Sequence, residues 1–239
     1  MKMFLDSAET NEIQHALEAW NIDGLTTNPK HMQKSGKPMR RALEEIAKLF
    51  AGTDKPVSVE VDPHLTDHKE IVRAGRELAT ISPNFVIKVA ATEAGFRAVH
   101  ELAAKKVRTN ATLVFSVTQA WHAARSGADF VSPFLGWKEA HGDATNALLP
   151  EIARVLSNGG YSTQIIASAI RNSRQIAEAA VAGAHCVTAG FSVYEESFRN
   201  PYTDMGNDIF RAAWRATPIE AEKSPDGQTV SRHKSVGAR

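Results

Sequence analysis

Eight short β-type runs alternate with helical stretches along most of this chain, with no break in composition from one unit to the next. The β-type runs fall at residues 1–6, 22–27, 56–61, 84–92, 108–115, 129–135, 163–169 and 185–189. Helical patterns fill 8–20, 39–50, 68–79, 94–105, 116–127, 144–156 and 172–183, and an aromatic-rich, partly helical segment follows at 193–216. A helix between two strands carries the chain back across the sheet, so successive strands run parallel, and a parallel sheet must be covered by its helices. Eight such units predict an α/β fold of the TIM (β/α)8 barrel class: one domain over residues 1–218 with an additional C-terminal helix. The rival is an open doubly wound sheet, but no Gly-rich phosphate turn follows the first strand.

Punctuation supports the helices. Ser116 with Gln119 and Asn172 with Gln175 have capping-box spacing, and Gly127 and Gly183 stand where those helices should end. Beyond residue 218 the sequence is polar and aperiodic, which predicts a disordered tail over 219–239.

The fourth β-type run holds the residue that most needs explaining. Phe85, Val86, Ile87 and Val89 read as a strand buried on both faces, with Lys88 in its middle. Taking an ammonium out of water is costly, and a buried amine that sheds its proton becomes a nucleophile toward carbonyl groups. The other reading is a lysine paired with a buried carboxylate for structure alone.

Strand alternation gives Lys88 company. Ser58, Glu60 and Asp62 share one face of the third strand; Val86, Lys88 and Ala90 share one of the fourth. Asn110, Thr112 and Val114 do so on the fifth, and Phe130, Ser132 and Phe134 on the sixth. Polar members of these sets cannot face an apolar helical layer. Of these, Glu60, Lys88, Asn110, Thr112 and Ser132, pointing inward near the C-terminal end of the barrel, would converge with Asp6 and Asn28 at the ends of the first two strands. Each has a plain alternative: Asp6 as a helix cap, Asn28 as a turn residue, Ser132 as a backbone partner.

Composition narrows the function classes. A formal net charge of +1 on 239 residues argues against a nucleic-acid or membrane surface. Nothing resembles a membrane span or the apolar core of a signal peptide, so the cytoplasm is the expected location. Without a secretory signal, the acceptor-like Asn110-Ala111-Thr112 is read as a chance match. The single cysteine, Cys186, is read as a buried spacer. Asp62, His64 and His68 are a weak metal-ligand candidate, and no metal or other cofactor is expected.

With these residues in view, the sequence resembles the transaldolase family, in the short-chain branch that also contains fructose-6-phosphate aldolase. The resemblance runs over about residues 1–214 and rests on Phe4-Leu5-Asp6-Ser7, Gly24-Leu25-Thr26-Thr27-Asn28-Pro29, Val59-Glu60-Val61, Val86-Ile87-Lys88-Val89, Asn110-Ala111-Thr112-Leu113-Val114-Phe115 and Ser132-Pro133-Phe134. It implies a Schiff base between Lys88 and a ketose carbonyl, with Asp6 as general acid–base for carbon–carbon cleavage. Glu60 and Thr112 would hold a proton-relaying water, while Asn28, Asn110 and Ser132 would orient the hydroxyls of a dihydroxyacetone unit. Aldolases of the family carry glutamine and tyrosine where this chain has Glu60 and Phe134, so the resemblance favours transfer to an aldehyde acceptor. The alternatives are an aldolase that releases dihydroxyacetone, and a barrel that binds a sugar or anion without chemistry. Family members of this length form rings, often decamers, whose C-terminal helix docks on a neighbour; the segment 194–214 is the feature that would do so here.

Departures from the family pattern gather where the far end of the substrate should lie. Trp137, followed by Lys138, stands where an arginine is common after the Ser-Pro-Phe motif. In Ser168-Ala169-Ile170-Arg171, Ala169 aligns with the usual serine unless one residue is bulged. Lys30 and His31 replace small or apolar residues. The expected anion pocket therefore draws on Ser168, Arg171, Lys30, Trp137 and Lys138, and would suit phosphate or another anion such as a sulfonate.

Overall fold

A computed structural model describes residues 1–217, so the tail predicted over 219–239 lies outside the described residues. The chain divides into two compact units, the first being Met1–Phe198. In that unit the elements follow as β1 (Lys2–Asp6), α1 (Thr10–Ala19), β2 (Gly24–Thr26), α2 (Pro29–Lys34), α3 (Met39–Leu49), β3 (Val57–Glu60), α4 (His68–Ala79), β4 (Phe85–Ala90) and α5 (Glu93–Ala104). Then come β5 (Thr109–Val114), α6 (Val117–Arg125), β6 (Phe130–Pro133), α7 (Leu135–Ala140), α8 (Leu148–Asn158), β7 (Gln164–Ile170), α9 (Ser173–Val181), β8 (Cys186–Ala189) and α10 (Phe191–Ser197). All strands pair in parallel and in chain order, and β8 closes on β1, giving the eight-stranded barrel that the alternation predicts.

Odd and even strand positions separate two cores. Leu5, Leu25, Val57, Val59, Ile87, Val89, Val131 and Ile165 face outward and pack with helical residues such as Leu43, Ile46, Val99, Leu102 and Ile152. Phe4, Val86, Phe130, Ile166 and Cys186 form a second, smaller cluster. Phe4 and Phe130 sit on strands that do not pair, yet their rings meet edge-on at 6.2 Å. That contact crosses the barrel, so this cluster is an apolar plug in its lumen. Burial pushes the Cys186 thiol up to about 12, in keeping with a spacer in this plug. Gly24 lies against the Phe4 ring, where an added Cβ would come within 2.7 Å of Phe4 Cζ and 2.8 Å of the Pro56 carbonyl oxygen.

The helix punctuation holds. Ser116 Oγ accepts from Gln119 N at 3.2 Å while Gln119 Oε1 accepts from Phe115 N at 2.8 Å. Asn172 Oδ1 accepts from Gln175 N at 3.0 Å, and Gln175 Oε1 from Arg171 N at 2.6 Å. Two short helices, α2 and α7, occupy stretches with no helical assignment in the sequence reading, and α8 begins later than the residue 144 expected.

Alternation fails at two places. Leu113 and Ala169 take left-handed φ angles of 57° and 58°, and the strand register shifts beside each of them. Such bulges re-aim the side chains that follow. Val114, expected on the face of Asn110 and Thr112, instead joins the outer core, as does Ile170.

The second unit contains α11 (Pro201–Ala216), capped by Asn200 Oδ1, which accepts from Tyr202 N. Tyr202, Met205, Ile209, Phe210 and Trp214 recur at helical spacing along it and are all exposed.

Candidate active site

Above the apolar plug the lumen turns polar. Strand register sets Glu60 beside Lys88 and Lys88 beside Asn110, with Thr112 beside Ala90 one step higher. The side chains follow suit. Lys88 is only 3% exposed; its Nζ lies 3.4 Å from Glu60 Oε2 and donates to the Thr27 carbonyl oxygen at 3.1 Å. The Phe134 ring centroid is 5.9 Å from the same nitrogen, so one side of the amine faces an aromatic surface.

Burial raises the Glu60 carboxyl above the ordinary carboxylate range, and the charge and hydrogen bond of Lys88 only partly offset this. Asp6 goes the other way. Burial pushes its carboxyl up, but the His31 hydrogen bond and charge, the Lys88 charge and the Thr26 hydroxyl together hold it below its usual value. Its Oδ1 accepts from Thr26 Oγ1 at 2.8 Å, and its Oδ2 lies 3.2 Å from His31 Nε2.

A second polar chain crosses β3, β5 and β6. Ser132 Oγ donates to Asn110 Oδ1 at 2.8 Å, and Asn110 Nδ2 donates to Ser58 Oγ at 3.0 Å. All three residues are buried. Near them, Thr112 Oγ1 is buried with no hydrogen-bond partner among the described residues. Leaving a buried hydroxyl unpaired costs about 1–3 kcal/mol, so this is a point at which a bound polar group would stabilise the protein. Asn28 caps α2, its Oδ1 accepting from His31 N at 3.1 Å.

The expected anion residues are less unified. Ser168 is buried, and its Oγ donates to the Ile166 carbonyl oxygen. Arg171 is exposed and its stem runs along Gly136, where an added Cβ would come within 2.8 Å of Arg171 Cγ; only glycine leaves that room. Trp137 is exposed and forms an aromatic wall with Phe134 and Phe115, at centroid separations of 5.4 and 6.1 Å. Lys138, expected as an anion ligand, pairs with Asp143 Oδ2 at 3.1 Å. Lys30 is exposed in the first turn of α2. Asp62 and His64, the weak metal candidates, pair with each other on the surface.

Sequence reasoning noted His31 only as a substitution, and it missed Thr26, Ser58 and the Thr27 carbonyl. Inward alternation marks Thr26 and Ser58, but nothing in the spacing of residues 6 and 31 announces their contact.

A closed parallel barrel with a buried lysine among carboxylates at its strand ends has the build of a (β/α)8 enzyme. The family model described as "Transaldolase/Fructose-6-phosphate aldolase" matches residues 3–229. A protein of Priestia megaterium named "6-deoxy-6-sulfo-D-fructose transaldolase" is 50% identical, over 92% of this chain and 98% of that protein. A "Probable transaldolase" of Dictyoglomus turgidum is 42% identical over 91% of this chain and 100% of its own. Among solved structures, thiamine phosphate pyrophosphorylase from Pyrococcus furiosus superposes with a TM-score of 0.60 over 82% of this chain and 93% of that one, at 14% identity, and so shares the fold alone. The chain belongs to the transaldolase/fructose-6-phosphate aldolase family, and it is an enzyme of the transaldolase/aldolase kind. Among the described residues no helix is long and apolar enough to cross a membrane.

Proposed function

We propose that this enzyme transfers a dihydroxyacetone unit from an anionic ketose to an aldehyde through a Schiff base on Lys88. The observation that carries this is a buried amine held between Glu60 and the Thr27 carbonyl at the mouth of the barrel. The Lys88 amine adds to the C2 carbonyl and water leaves, giving a protonated imine. Asp6 takes the proton of the C4 hydroxyl, the C3–C4 bond breaks, and its electron pair flows into the imine to leave an enamine. The first aldehyde departs. The enamine carbon then attacks the carbonyl of the acceptor, Asp6 returns its proton to the new hydroxyl, and water frees the product from Lys88. Glu60 and the Thr112 hydroxyl hold the water that relays protons around the imine nitrogen. Asn28, Asn110 and Ser132 orient the hydroxyls of the transferred unit.

For the donor, a sulfonated ketose fits better than a phosphorylated one. A sulfonate carries one negative charge, whereas a phosphate monoester carries about −1.5 to −2 at pH 7. Lys138 is paired with Asp143 and Trp137 stands where an arginine is common, leaving Arg171 beside Gly136 and Lys30 on α2 as the cations of the expected anion pocket. The Priestia relative, named for a sulfofructose, agrees. With 6-deoxy-6-sulfofructose as donor, cleavage releases a three-carbon aldehyde bearing the sulfonate.

The test compares 6-deoxy-6-sulfofructose, fructose 6-phosphate and fructose as donors, with and without an acceptor aldehyde, and traps the imine with borohydride. Charge-assisted contacts contribute about 1.5–3 kcal/mol each, so kcat/KM should favour the sulfonate over the phosphate by at least about tenfold. Turnover should require the acceptor, and the trapped mass should map to Lys88. A preference for fructose 6-phosphate would overturn the substrate reading, and the absence of an adduct with every ketose would overturn the mechanism.

We also propose that the enzyme is a homo-oligomer whose exposed apolar stripe on α11 docks on a second copy. Cutting the chain before Thr203 should then lower the mass measured by light scattering, and an unchanged oligomer would sink the idea.

A further inference from the structure

Asp6 is the acid–base group of the proposed reaction, and its neighbour His31 has no part in that scheme. Both oxygens of the Asp6 carboxylate are engaged from fixed elements. Thr26 on β2 holds Oδ1, while Oδ2 meets the His31 imidazole on α2. The Thr26 hydroxyl is itself fixed by Thr188 on β8 at 2.6 Å. His31 is fixed from behind, since its backbone N–H donates to Asn28 Oδ1. Its side chain is 25% exposed, against 21% for that of Asp6, so the ring borders both the carboxylate and solvent.

We propose that His31 is a positioning residue that acts through Asp6, holding its carboxylate in the orientation that receives and returns the hydroxyl proton. The inference rests on the Schiff-base reading above. In that scheme Asp6 must give up its proton to the acceptor-derived oxygen within the same cycle in which it took one from the donor. A donor on Oδ2 leaves the remaining lone pairs of a fixed carboxylate for the substrate, and it favours the ionised form that starts each cycle. The other ionisable groups facing Asp6 are Lys88 from β4, Glu60 from β3 and Tyr194 from α10, and none of them donates a hydrogen bond to it. Tyr194 is committed elsewhere, donating to the Phe4 carbonyl oxygen at 2.8 Å.

Two variants and three readouts test this. In His31→Leu, kcat should fall by about 10–100-fold, the scale on which misplacing a reacting group acts. Borohydride-trapped adduct on Lys88 should form as in the wild type, because Lys88 is held by Glu60 and Thr27. The acidic limb of the kcat profile should move to higher pH, since Asp6 loses the partner that holds its carboxyl low. His31→Gln, which restores a neutral donor near Nε2, should recover part of both effects and serves also if His31→Leu folds poorly. A His31→Leu enzyme with kcat within twofold of wild type and an unmoved acidic limb would overturn the proposal. So would a loss of trapped adduct as large as the loss of kcat, because the effect would then not run through Asp6. Failure of the wild type itself to form the adduct would count against the Schiff-base reading instead.

Discussion

Replacing Lys88 by Met should abolish transfer, with kcat falling on the order of 10⁴–10⁶-fold, as when the nucleophile of a covalent mechanism is removed. No borohydride adduct should remain at any position. The same variant should also be less stable, because Glu60 would be left buried without the cation now 3.4 Å away. Breaking a buried pair costs about 3–5 kcal/mol, and protonating the orphaned carboxyl relieves part of that cost. The carboxyl is already raised by burial, and loss of Lys88 removes the first influence that lowers it. A group whose folded-state value is raised binds its proton more tightly in the native state than in the unfolded chain. Stability is therefore lost as pH climbs from the ordinary carboxylate range through the raised folded value. The gap in melting temperature between wild type and Lys88→Met should widen as pH rises through that window. A variant with near-native turnover would end the covalent mechanism, and a pH-independent gap would remove Glu60 from the explanation of stability.

Glu60→Gln should keep the barrel and the Lys88 adduct while lowering kcat about a hundredfold, within the usual range of general acid–base effects. The amide can still accept from Lys88 but cannot carry the proton that the proposed relay assigns to Glu60. Because aldolases of the family carry glutamine at this position, the variant should also release more free dihydroxyacetone per turnover. Its stability should respond to pH in the opposite sense to the previous case. The wild type loses stability as Glu60 ionises in a buried place, and the glutamine variant lacks that loss, so the comparison shifts in favour of Glu60→Gln as pH rises through the same window. Steady-state transfer assays with a separate assay for free dihydroxyacetone check the first claim. Unchanged transfer kinetics would take Glu60 out of the reaction.

The barrel was legible because its signals are long or repeated. α4 (His68–Ala79) carries a clear apolar stripe over twelve residues and falls where periodicity put it. The polar sets on β3 to β6 follow from period-two alternation, and the register brings Glu60, Lys88 and Asn110 side by side as that alternation requires. What escaped was short or exceptional. α2 and α7 have six residues each, too few for a period of 3.6 to stand out. Leu113 bends the chain into the left-handed region without the glycine or asparagine that usually marks it, whereas the bulge at Ala169 is one of the two alignments that the motif Ser168-Ala169-Ile170-Arg171 left open. The pairing of Lys138 with Asp143 and of His31 with Asp6 depends on how the short helices α7 and α2 settle once the barrel is built. Loops vary more freely than the scaffold that carries them, so pairings at the ends of the βα units leave no periodic signal in the sequence.

The plug of Phe4, Val86, Phe130, Ile166 and Cys186 has a consequence for the order of events. It fills the lumen below Lys88, so in the proposed reaction donor, departing aldehyde and incoming acceptor would all use the open end of the barrel. If the reaction runs through the proposed enamine, the first aldehyde would have to leave before the second enters. A shuttle of this kind yields parallel lines when reciprocal rate is plotted against reciprocal donor concentration at several fixed acceptor levels. It also makes excess acceptor a competitor of the donor, because both wait at the same threshold.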